Sequence, residues 1–324
     1  MQQRLSELWY REHPAASLLQ PLASAYGALL ALRRRAYAWG WLRSESAGRP
    51  VVVVGNLTVG GTGKTPLTLW LARELDSQGL KVGIVSRGYG RRDGAVRTVQ
   101  PDSDWREVGD EPLILARRSG CPTTVAADRV AAARSLAARG VDVIIADDGL
   151  QHLQLARDCE IVVVDGARGF GNGRLLPAGP LREPVVQLWQ ADAVVVNGAR
   201  EHASLAQALP PQGTLSMRLA AQEAVRLDTG ATVRPLAHFR GQRVHAVAGI
   251  GNPARFFAEL RAHALEVIEH AFPDHHAFLA TELAFADARL WYVPVTADFT
   301  AGDAHELLTR VMARVRAGAP TGGK

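Results

Sequence analysis

A glycine-rich segment directly after a short apolar strand is the part of the sequence best suited to chemistry. It reads Gly55-Asn56-Leu57-Thr58-Val59-Gly60-Gly61-Thr62-Gly63-Lys64-Thr65-Pro66 and follows the strand candidate Val51–Val54. Such a turn lets backbone N–H groups surround a polyphosphate at the N terminus of the next helix. In this arrangement Lys64 bridges the β- and γ-phosphates, and the Thr65 hydroxyl binds Mg²⁺. The residues predicted to bind the nucleotide are Gly60, Gly61, Thr62, Gly63, Lys64 and Thr65.

The segment departs from the common GxxxxGK[ST] pattern, because Thr58 stands where the first glycine would be. It is closer to the GGxGK[ST] variant of one subclass of phosphate-binding loops. The alternative interpretation is a tight glycine-rich turn between a strand and a helix, with no ligand. The complete Gly63-Lys64-Thr65 triplet, with a strand before it and Pro66 in the first helical turn, favours the phosphate loop.

A second element with chemical potential is the apolar run Val141–Ala146, which ends in Asp147-Asp148. A carboxylate at the end of such a strand orients Mg²⁺ beside a phosphate loop. An apolar run that ends in aspartate is common and says little by itself. Placed downstream of a phosphate loop, it supports a nucleotide site that works with Mg²⁺.

Six further motifs occur in a fixed order and are more distinctive than the phosphate loop. They are Ser86–Arg91 (SRGYGR), Val108–Pro112 (VGDEP), Ala127–Arg129 (ADR), Asp147–His152 (DDGLQH), Gly169–Glu183 (GFGNGRLLPAGPLRE) and Phe272–His276 (FPDHH). This series resembles the tetraacyldisaccharide 4'-kinase family of the lipid A pathway in Gram-negative bacteria. The resemblance extends from the N-terminal segment to about Phe285.

The resemblance implies a specific activity. Members of the family transfer the γ-phosphate of ATP to the 4'-hydroxyl of a tetraacylated glucosamine disaccharide 1-phosphate. They do so as peripheral proteins at the cytoplasmic face of the inner membrane. We therefore expect ATP and Mg²⁺ as cofactors, and a lipid disaccharide and the inner-membrane surface as partners. No nucleic acid and no obligate protein partner is expected.

The resemblance also implies roles for individual residues. In the VGDEP motif Asp110 is the candidate base that takes the hydroxyl proton, and His275 is its partner across a domain interface. A carboxylate–imidazole pair can match a base to neutral pH. The residues alone favour a plainer interpretation, in which Asp110-Glu111-Pro112 starts a helix.

The remaining predicted site residues bind metal or phosphate. Asp148, together with Asp147 and Glu111, is expected to hold or orient Mg²⁺. Arginine matches phosphate bidentately, so arginines in the motifs are candidates to bind the 1-phosphate or the group in transfer. The predicted substrate-binding set is Arg87, Arg129, Gln151, Asn172 and Arg182. Arg182 closes the glycine-rich Gly169–Glu183 motif, whereas His152 could equally be a structural histidine.

One departure from the family pattern follows Phe285. Family members usually carry a further strand and loop between the histidine motif and the final strand. Here Phe285-Ala286-Asp287-Ala288-Arg289 runs directly into Leu290–Val295. A degenerate copy, a compact variant and an in-frame loss all explain this. Because a lost strand exposes the hydrogen-bonding edges of its neighbours, we expect a weakened second domain and lowered activity.

The elements that position these motifs alternate between apolar strands and helices from Pro50 onward. Strand candidates are Val51–Val54, Val82–Ser86, Val143–Ala146, Ile161–Val164 and Ala193–Val196; helix candidates include Pro66–Gln78 and Arg129–Arg139. Short β-branched runs of this kind are typical of strands buried on both faces. The pattern predicts an α/β fold, a P-loop NTPase-like parallel sheet with helices on both faces.

The predicted domain organisation has three parts. Residues 1–44 form a membrane-associating helical segment, 45–213 the P-loop kinase domain and 214–324 a smaller α/β domain, shortened after residue 285. A β-hairpin linker, with strands Thr214–Leu219 and Ala224–Leu227, joins the two domains. The strand Arg243–Ala248 and a helix from Pro253 follow.

Composition and charge are those of a folded protein with an anionic partner. The 324 residues are 47% hydrophobic and 21% charged, with a net charge of +5. Seven arginines and three glutamates place +4 of this charge in residues 1–50. Arg33–Arg35 follow an uncharged run that is too polar and too short to span a membrane. With Trp39 and Trp41 nearby, the segment resembles an in-plane membrane anchor; a helix packed on the protein core is the alternative.

Other function classes remain open at this point. A P-loop ATPase or GTPase switch of the partitioning or metal-insertion type shares the phosphate loop. The absence of its signature lysine near Val59 and of a CxxC pair opposes it. A catalytically impaired family member, or a membrane-associated protein that binds nucleotide without turnover, is the other alternative. Cys121 and Cys159 are expected to be core thiols of a cytoplasmic protein.

Overall fold

The structure, a computed structural model, describes residues 8–10, 13–91, 93–227, 232–274, 276–285 and 290–319. Its strands are β1 Val51–Gly55, β2 Val82–Ser86, β3 Arg97–Val99, β4 Thr123–Val125, β5 Val143–Asp147, β6 Cys159–Asp165, β7 Ala193–Asn197, β8 Thr214–Ala221, β9 Glu223–Arg226, β10 Val233–Pro235, β11 Arg243–Ala248, β12 Glu266–Ala271, β13 Trp291–Tyr292 and β14 Val295–Phe299.

The α-helices connect and cover these strands. They are α1 Pro14–Leu18, α2 Gln20–Ala38, α3 Lys64–Ser77, α4 Trp105–Val108, α5 Asp110–Ser119, α6 Arg129–Ala138, α7 Leu205–Ala208, α8 Pro253–Ala262 and α9 Ala301–Gly318. Short 3₁₀ helices span Val185–Gln190, Leu236–Phe239 and Ala280–Leu283. In the part of the chain that the structure covers, no helix combines the length and the apolarity needed to cross a bilayer.

A nine-stranded sheet in the order β14-β8-β7-β6-β1-β5-β2-β4-β3 forms the centre of the fold. The pairs from β8 to β4 are parallel, and β3 pairs with β4 in the antiparallel sense. Every residue of β1, β2, β5 and β7 is buried. The prediction of a parallel α/β sheet built from β-branched strands is therefore confirmed. Because the strands are parallel, their carboxyl ends meet at one edge of the sheet.

The chain divides into two compact units. The large unit contains the residues up to Arg218 and those from Phe299 onward; the small unit is Leu219–Asp298. The predicted boundary at residue 214 is close to the first crossing point. The helix α9, which the prediction gave to the second domain, belongs to the large unit.

The small unit has two small sheets and its own core. One sheet has the order β10-β9-β13, and the other is the parallel pair β11-β12. The predicted linker needs a correction here, since its two strands do not form a hairpin. The strand β8 pairs with β7 in the nine-stranded sheet, whereas β9 pairs with β10 and β13. The buried residues of this core are Ala221, Ala224, Leu236, Ala246, Ala248, Phe257, Leu260 and Leu265.

Candidate active site

The glycine-rich loop leaves β1 at Gly55 and enters α3 at Lys64, as predicted. Gly63, the residue before the helix, has φ +98°, a conformation that side chains with a Cβ rarely adopt. A Cβ at Gly63 would also lie 2.7 Å from Nδ2 of Asn197 and 3.0 Å from Cε of Met217. Glycine is therefore required here for two independent reasons. The turn leaves the first N–H groups of α3 directed at the space beside the loop, where an anion is favoured.

The loop is held from outside by the end of the Gly169–Glu183 motif. The backbone N–H of Val59 donates to the carbonyl of Pro180 at 2.8 Å, and that of Arg182 donates to the carbonyl of Leu57 at 2.6 Å. Inside the loop, Nδ2 of Asn56 donates to the carbonyl of Thr58 at 2.8 Å. These contacts bring together two motifs that are more than a hundred residues apart in the chain.

Two cations and one carboxylate converge beside the loop. Nζ of Lys64 lies 3.2 Å from Oδ1 of Asn56 and 3.7 Å from Oδ1 of Asp148. Arg182 binds Asp148 with both terminal nitrogens, at 3.1 Å to Oδ2 and 2.8 Å to Oδ1, and it also donates to Oδ1 of Asn56. Positive groups at a helix N terminus are the arrangement that a polyphosphate requires.

The two aspartates at the end of β5 occupy different environments. Asp147 is 1% exposed, and burial raises its pKa to about 6 although Lys64 acts in the opposite direction. Its Oδ1 accepts from the Thr68 hydroxyl at 2.9 Å, while its buried Oδ2 has no protein partner among the described residues. Burial also opposes the charge of Asp148, but Lys64 and Arg182 outweigh it and hold the pKa of Asp148 well below its usual range.

These oxygens fit a magnesium ion. Mg²⁺ is usually bound by one or two carboxylates together with substrate phosphates and water. Asp147, Asp148 and the Thr65 hydroxyl offer oxygen ligands of that kind, and the unpartnered Oδ2 of Asp147 is available to such an ion or to one of its waters. Within the described ranges no group of three or more His, Cys, Asp or Glu side chains is arranged to hold a metal by itself. Glu111, also predicted to hold Mg²⁺, lies on α5 and not at the end of β5.

Arg129, Gln151 and His152 surround this cluster. The guanidinium of Arg129 is buried and donates to the backbone carbonyl of Asp148 at 2.6 Å. Nε2 of Gln151 donates to the carbonyl of Asn56 at 3.2 Å. Burial, followed by the charges of Arg129 and Arg157, lowers the pKa of His152 to about 4. In this structure Arg129 and Gln151, both predicted to bind substrate, hold the backbone of the site.

Asp110, the predicted base, belongs to the part of the site that adjoins β2, the strand next to β5. The loop 86–91 packs closely against the junction of α4 and α5, since a Cβ at Gly109 would be 3.0 Å from Cα of Gly88. Asp110 is the first residue of α5, and its Oδ1 accepts from the N–H of Glu111 at 2.9 Å. Arg87 is exposed at the end of β2, which pairs with β5. His275 lies outside the described residues.

Asn172 has a different environment from the other predicted site residues. Its Nδ2 donates to the carbonyl of Ala178 at 2.9 Å, and its Oδ1 accepts from the N–H of Arg174 at 3.1 Å. The amide therefore holds its own loop in shape. A Cβ at Gly179 would be only 2.2 Å from that Oδ1, so the glycine-rich composition of the motif serves this close packing.

Four residues that the sequence did not single out complete the site: Asn56, Thr68, Arg168 and Asn197. Asn56 accepts from Lys64 and Arg182, and Thr68 binds Asp147. Arg168 donates to the carbonyl of Gly61, and Asn197 donates to that of Thr62 at 2.9 Å. Thr68 follows Thr65 by almost one helical turn, a spacing that could have identified it. The Asn56–Lys64 contact lies within the glycine-rich segment, whereas the contacts of Arg168 and Asn197 depend on the order of the strands.

Comparison with known proteins shows similarity along nearly the whole chain. The family model described as tetraacyldisaccharide-1-P 4'-kinase matches residues 15–297. A tetraacyldisaccharide 4'-kinase of Xanthomonas euvesicatoria is 45% identical over 326 residues, covering 94% of this chain and 94% of the relative. The tetraacyldisaccharide 4'-kinase of Pseudomonas paraeruginosa is 49% identical over 286 residues, covering 87% of this chain and 83% of the relative.

A solved structure agrees with the sequence comparison. The crystal structure of LpxK from Aquifex aeolicus in complex with ATP has a TM-score of 0.76 and 27% identity. It covers 93% of this chain and 99% of that chain. The similarity is thus not confined to the phosphate loop, and an ATPase or GTPase switch is not favoured.

Proposed function

The chain belongs to the tetraacyldisaccharide-1-P 4'-kinase family and is an ATP-dependent kinase of lipid A synthesis, and we propose that the Lys64–Asp148–Arg182 cluster is its phosphoryl-transfer site. The acceptor is the 4'-hydroxyl of a lipid disaccharide 1-phosphate. The observation that carries the assignment of the site is the convergence of Lys64 and Arg182 on Asp148 at the N terminus of α3.

When ATP binds, its phosphates replace the Asp148 carboxylate as the partner of Lys64 and Arg182. The triphosphate lies along residues 60–65, where backbone N–H groups and the N terminus of α3 favour anions. Lys64 and Arg182 then turn from Asp148 to the β- and γ-phosphate oxygens, so their charges stay compensated. The Asp148 carboxylate, released in this way, would hold Mg²⁺ together with Asp147 and Thr65. When bound, that ion neutralises the negative charge that repels an incoming hydroxyl.

The acceptor hydroxyl needs a base, and Asp110 is the proposed one. It follows Gly109, which packs against Gly88 just beyond the carboxyl end of β2, and β2 pairs with β5. Asp110 takes the proton of the 4'-hydroxyl group. At the same time the hydroxyl oxygen attacks the γ-phosphorus, and the bond between the γ-phosphorus and the β-phosphate oxygen breaks. Arg87 binds the phosphate of the disaccharide, an assignment that rests on the family motif. The expectation that His275 acts with Asp110 stays a prediction of the resemblance.

The α2 segment is proposed to lie on the membrane surface that carries the substrate. Leu22, Leu29 and Leu32 are each more than half exposed and lie on one side of this helix. Trp39 and Trp41, also exposed, follow at its C-terminal end with their rings 5.0 Å apart. Exposed leucines beside exposed tryptophans and the exposed Arg35 fit an anionic leaflet, here the cytoplasmic face of the inner membrane.

Cosedimentation with vesicles that contain anionic phospholipid tests the membrane surface. The variant Leu29→Asp places a charge in the apolar side of α2 and should weaken binding to the vesicles. Equal binding of the variant and the parent protein would remove α2 from the interface.

The kinase assignment is tested by transfer of labelled γ-phosphate from ATP to tetraacyldisaccharide 1-phosphate in detergent micelles. Asp110→Asn should lower the rate by about 10²-fold or more, since a general base contributes about that much. Asp104→Asn is the matched control, because Asp104 caps the neighbouring helix α4 with its side chain. Equal activity of the two variants would mean that Asp110 only starts its helix. No product from the folded parent chain would identify a catalytically impaired member.

A further inference from the structure

The helix α2 contacts the segment that presents Arg182, on the side away from the phosphate loop. The Tyr26 hydroxyl donates to the backbone carbonyl of Arg182 at 3.0 Å. Nε and Nη2 of Arg34 lie 3.1 and 3.0 Å from one carboxylate oxygen of Glu183. Two consecutive residues, Arg182 and Glu183, are therefore both held by the same helix.

Glu183 is buried, so its carboxylate depends on the contact with Arg34. Its side chain is only 1% exposed, whereas that of Arg34 is 24% exposed. A buried carboxylate is strongly disfavoured unless a cation accompanies it. Glu183 can keep its place only while Arg34 stays beside it. The position of α2 thus sets the position of the Glu183 backbone.

The backbone of Arg182 is fixed on its other side as well. Its N–H donates to the carbonyl of Leu57 in the phosphate loop at 2.6 Å. With its carbonyl bound to Tyr26, its N–H bound to the loop and its successor bound to Arg34, its backbone has three restraints. The guanidinium is then placed on Asp148 and Asn56.

The same helix reaches a second element of the site. Nη1 of Arg33 donates to the backbone carbonyl of Gln151 at 3.0 Å, and the Gln151 side chain donates to the carbonyl of Asn56 at 3.2 Å. Both connections from α2 therefore end at Asn56, the residue that accepts from Lys64 and Arg182.

We propose that Tyr26 and Arg34 are positioning residues for phosphoryl transfer, which hold Arg182 through its backbone and through Glu183. Their contacts described above are with the Arg182 carbonyl and the Glu183 carboxylate. Their effect on the reaction is to fix the guanidinium where charge develops on the phosphoryl group, as preorganised groups must be fixed. This inference rests on the proposed role of Arg182.

The test is a mutant cycle on kcat, measured with labelled ATP and tetraacyldisaccharide 1-phosphate in micelles. Arg34→Met should lower kcat about tenfold, because a displaced catalytic group loses rate steeply, and leave the KM for the lipid little changed. Tyr26→Phe removes one hydrogen bond without leaving a buried charge, and should lower kcat about threefold. In an Arg182→Ala background both substitutions should have no further effect, since the group they position is gone.

Arg35→Met is the matched comparison for Arg34→Met. It removes the same charge from the next position of α2, and the Arg35 side chain is exposed. If the charge acts only through the membrane surface, both variants raise the KM for the lipid and neither lowers kcat, which would overturn the proposal.

The remaining outcomes are separable. Because Arg34→Met leaves Glu183 uncompensated, thermal unfolding is measured for each variant; Tyr26→Phe keeps the test valid if Arg34→Met does not fold. Additive losses in the Arg182→Ala background would mean that the residues act on overall structure. Full activity of Arg182→Ala itself would refute the role of Arg182 and leave the kinase activity intact.

Discussion

The two compact units differ in how their strands are buried. In the large unit β1, β2, β5 and β7 are buried along their whole length. In the small unit β11 has two buried residues, Ala246 and Ala248, and β12 has no fully buried residue. The polar groups of the large unit bind one another at the sheet edge, whereas His245 and His270 stack with Phe285 on the surface of the small unit.

This difference matters for catalysis because charged groups must be held still to stabilise a transition state. A sheet that is covered on both faces fixes the ends of its strands, and with them the loop after β1 and the aspartates after β5. A lightly covered sheet has lower local stability and opens more readily. We expect the rate of phosphoryl transfer to depend on charges in the large unit, and the small unit to unfold first.

Removal of a phosphate-site charge should have the largest effect. Lys64→Met takes away the cation that lies 3.7 Å from Asp148 and leaves Arg182 paired with that carboxylate. The fold is therefore expected to survive, while kcat falls about 10³-fold, the size seen when a group that stabilises transition-state charge is lost. Single-turnover measurement with labelled ATP checks this, and binding of a fluorescent ATP analogue reports whether the site still assembles.

A polar substitution in the small unit is the matched control. His270→Gln removes a half-buried ring from β12, far in sequence from the phosphate loop, and should leave kcat unchanged. A loss as large as that of Lys64→Met would contradict the assignment of the chemistry to the large unit. It would also direct attention to the FPDHH motif, which lies directly after this strand.

The next largest effect is on the stability of the small unit, and it distinguishes the core of this unit from that of the large unit. Phe257 on α8 is 1% exposed and is the largest side chain of the small-unit core. Phe257→Ala should destabilise this unit by about 3 kcal/mol, since it removes apolar contacts and leaves a cavity. Denaturant unfolding followed by tryptophan fluorescence should show an earlier first transition.

The second unfolding transition of the Phe257→Ala variant shows whether the two units unfold separately. It reports the large unit and should stay where it is in the parent protein. A single transition that shifts as a whole would mean that the two units unfold cooperatively. The expectation that the region after Phe285 weakens the second domain is tested by the same experiment, because it predicts a low first transition in the parent chain.

Much of the large unit follows from the sequence because its signals are local. Val51–Val54 and Val143–Ala146 are short β-branched runs, and the Gly63-Lys64-Thr65 triplet predicts the turn between the first of them and the next helix. Contacts that depend on distant parts of the chain do not have such signals. Asn197 reaches the phosphate loop only because β7 lies two places from β1 in the sheet.

The small unit illustrates the opposite case. The sequence predicts a hairpin of the strands Thr214–Leu219 and Ala224–Leu227, which are close along the chain. In the structure β8 joins the large sheet, where its partner β7 is fully buried, and β9 joins a different sheet. Local pattern predicts a strand, but its partner depends on packing against neighbours that are distant in the sequence.

The pH dependence of the large unit offers a smaller effect. Burial, with Arg129 and Arg157, lowers the pKa of His152 from 6.5 to about 4 in the folded protein. Between these values the unfolded chain binds a proton that the folded chain does not, so this group makes the unit less stable as the pH falls. His152→Gln should therefore lose less stability than the parent protein between about pH 7 and about pH 5, measured by urea unfolding.

Asp147 acts in the opposite direction in the same range. Its raised pKa means that the folded protein keeps a proton which the unfolded chain releases, so its contribution to stability falls as the pH rises. Since Asp147 is present in both proteins, the difference between the parent and His152→Gln isolates the histidine. An identical pH dependence of the two proteins would mean that His152 does not stay neutral in the folded state.

The smallest effect is expected at a surface ion pair of the small unit. Arg261 on α8 pairs with Glu269 on β12, and both side chains are more than 40% exposed. Exposed pairs contribute at most about 1 kcal/mol, because water and salt screen them. Arg261→Ala should shift the first unfolding transition much less than Phe257→Ala does, and the shift should shrink further in high salt. A shift as large as that of Phe257→Ala would show that ion pairs, and not the apolar core, hold the small unit together.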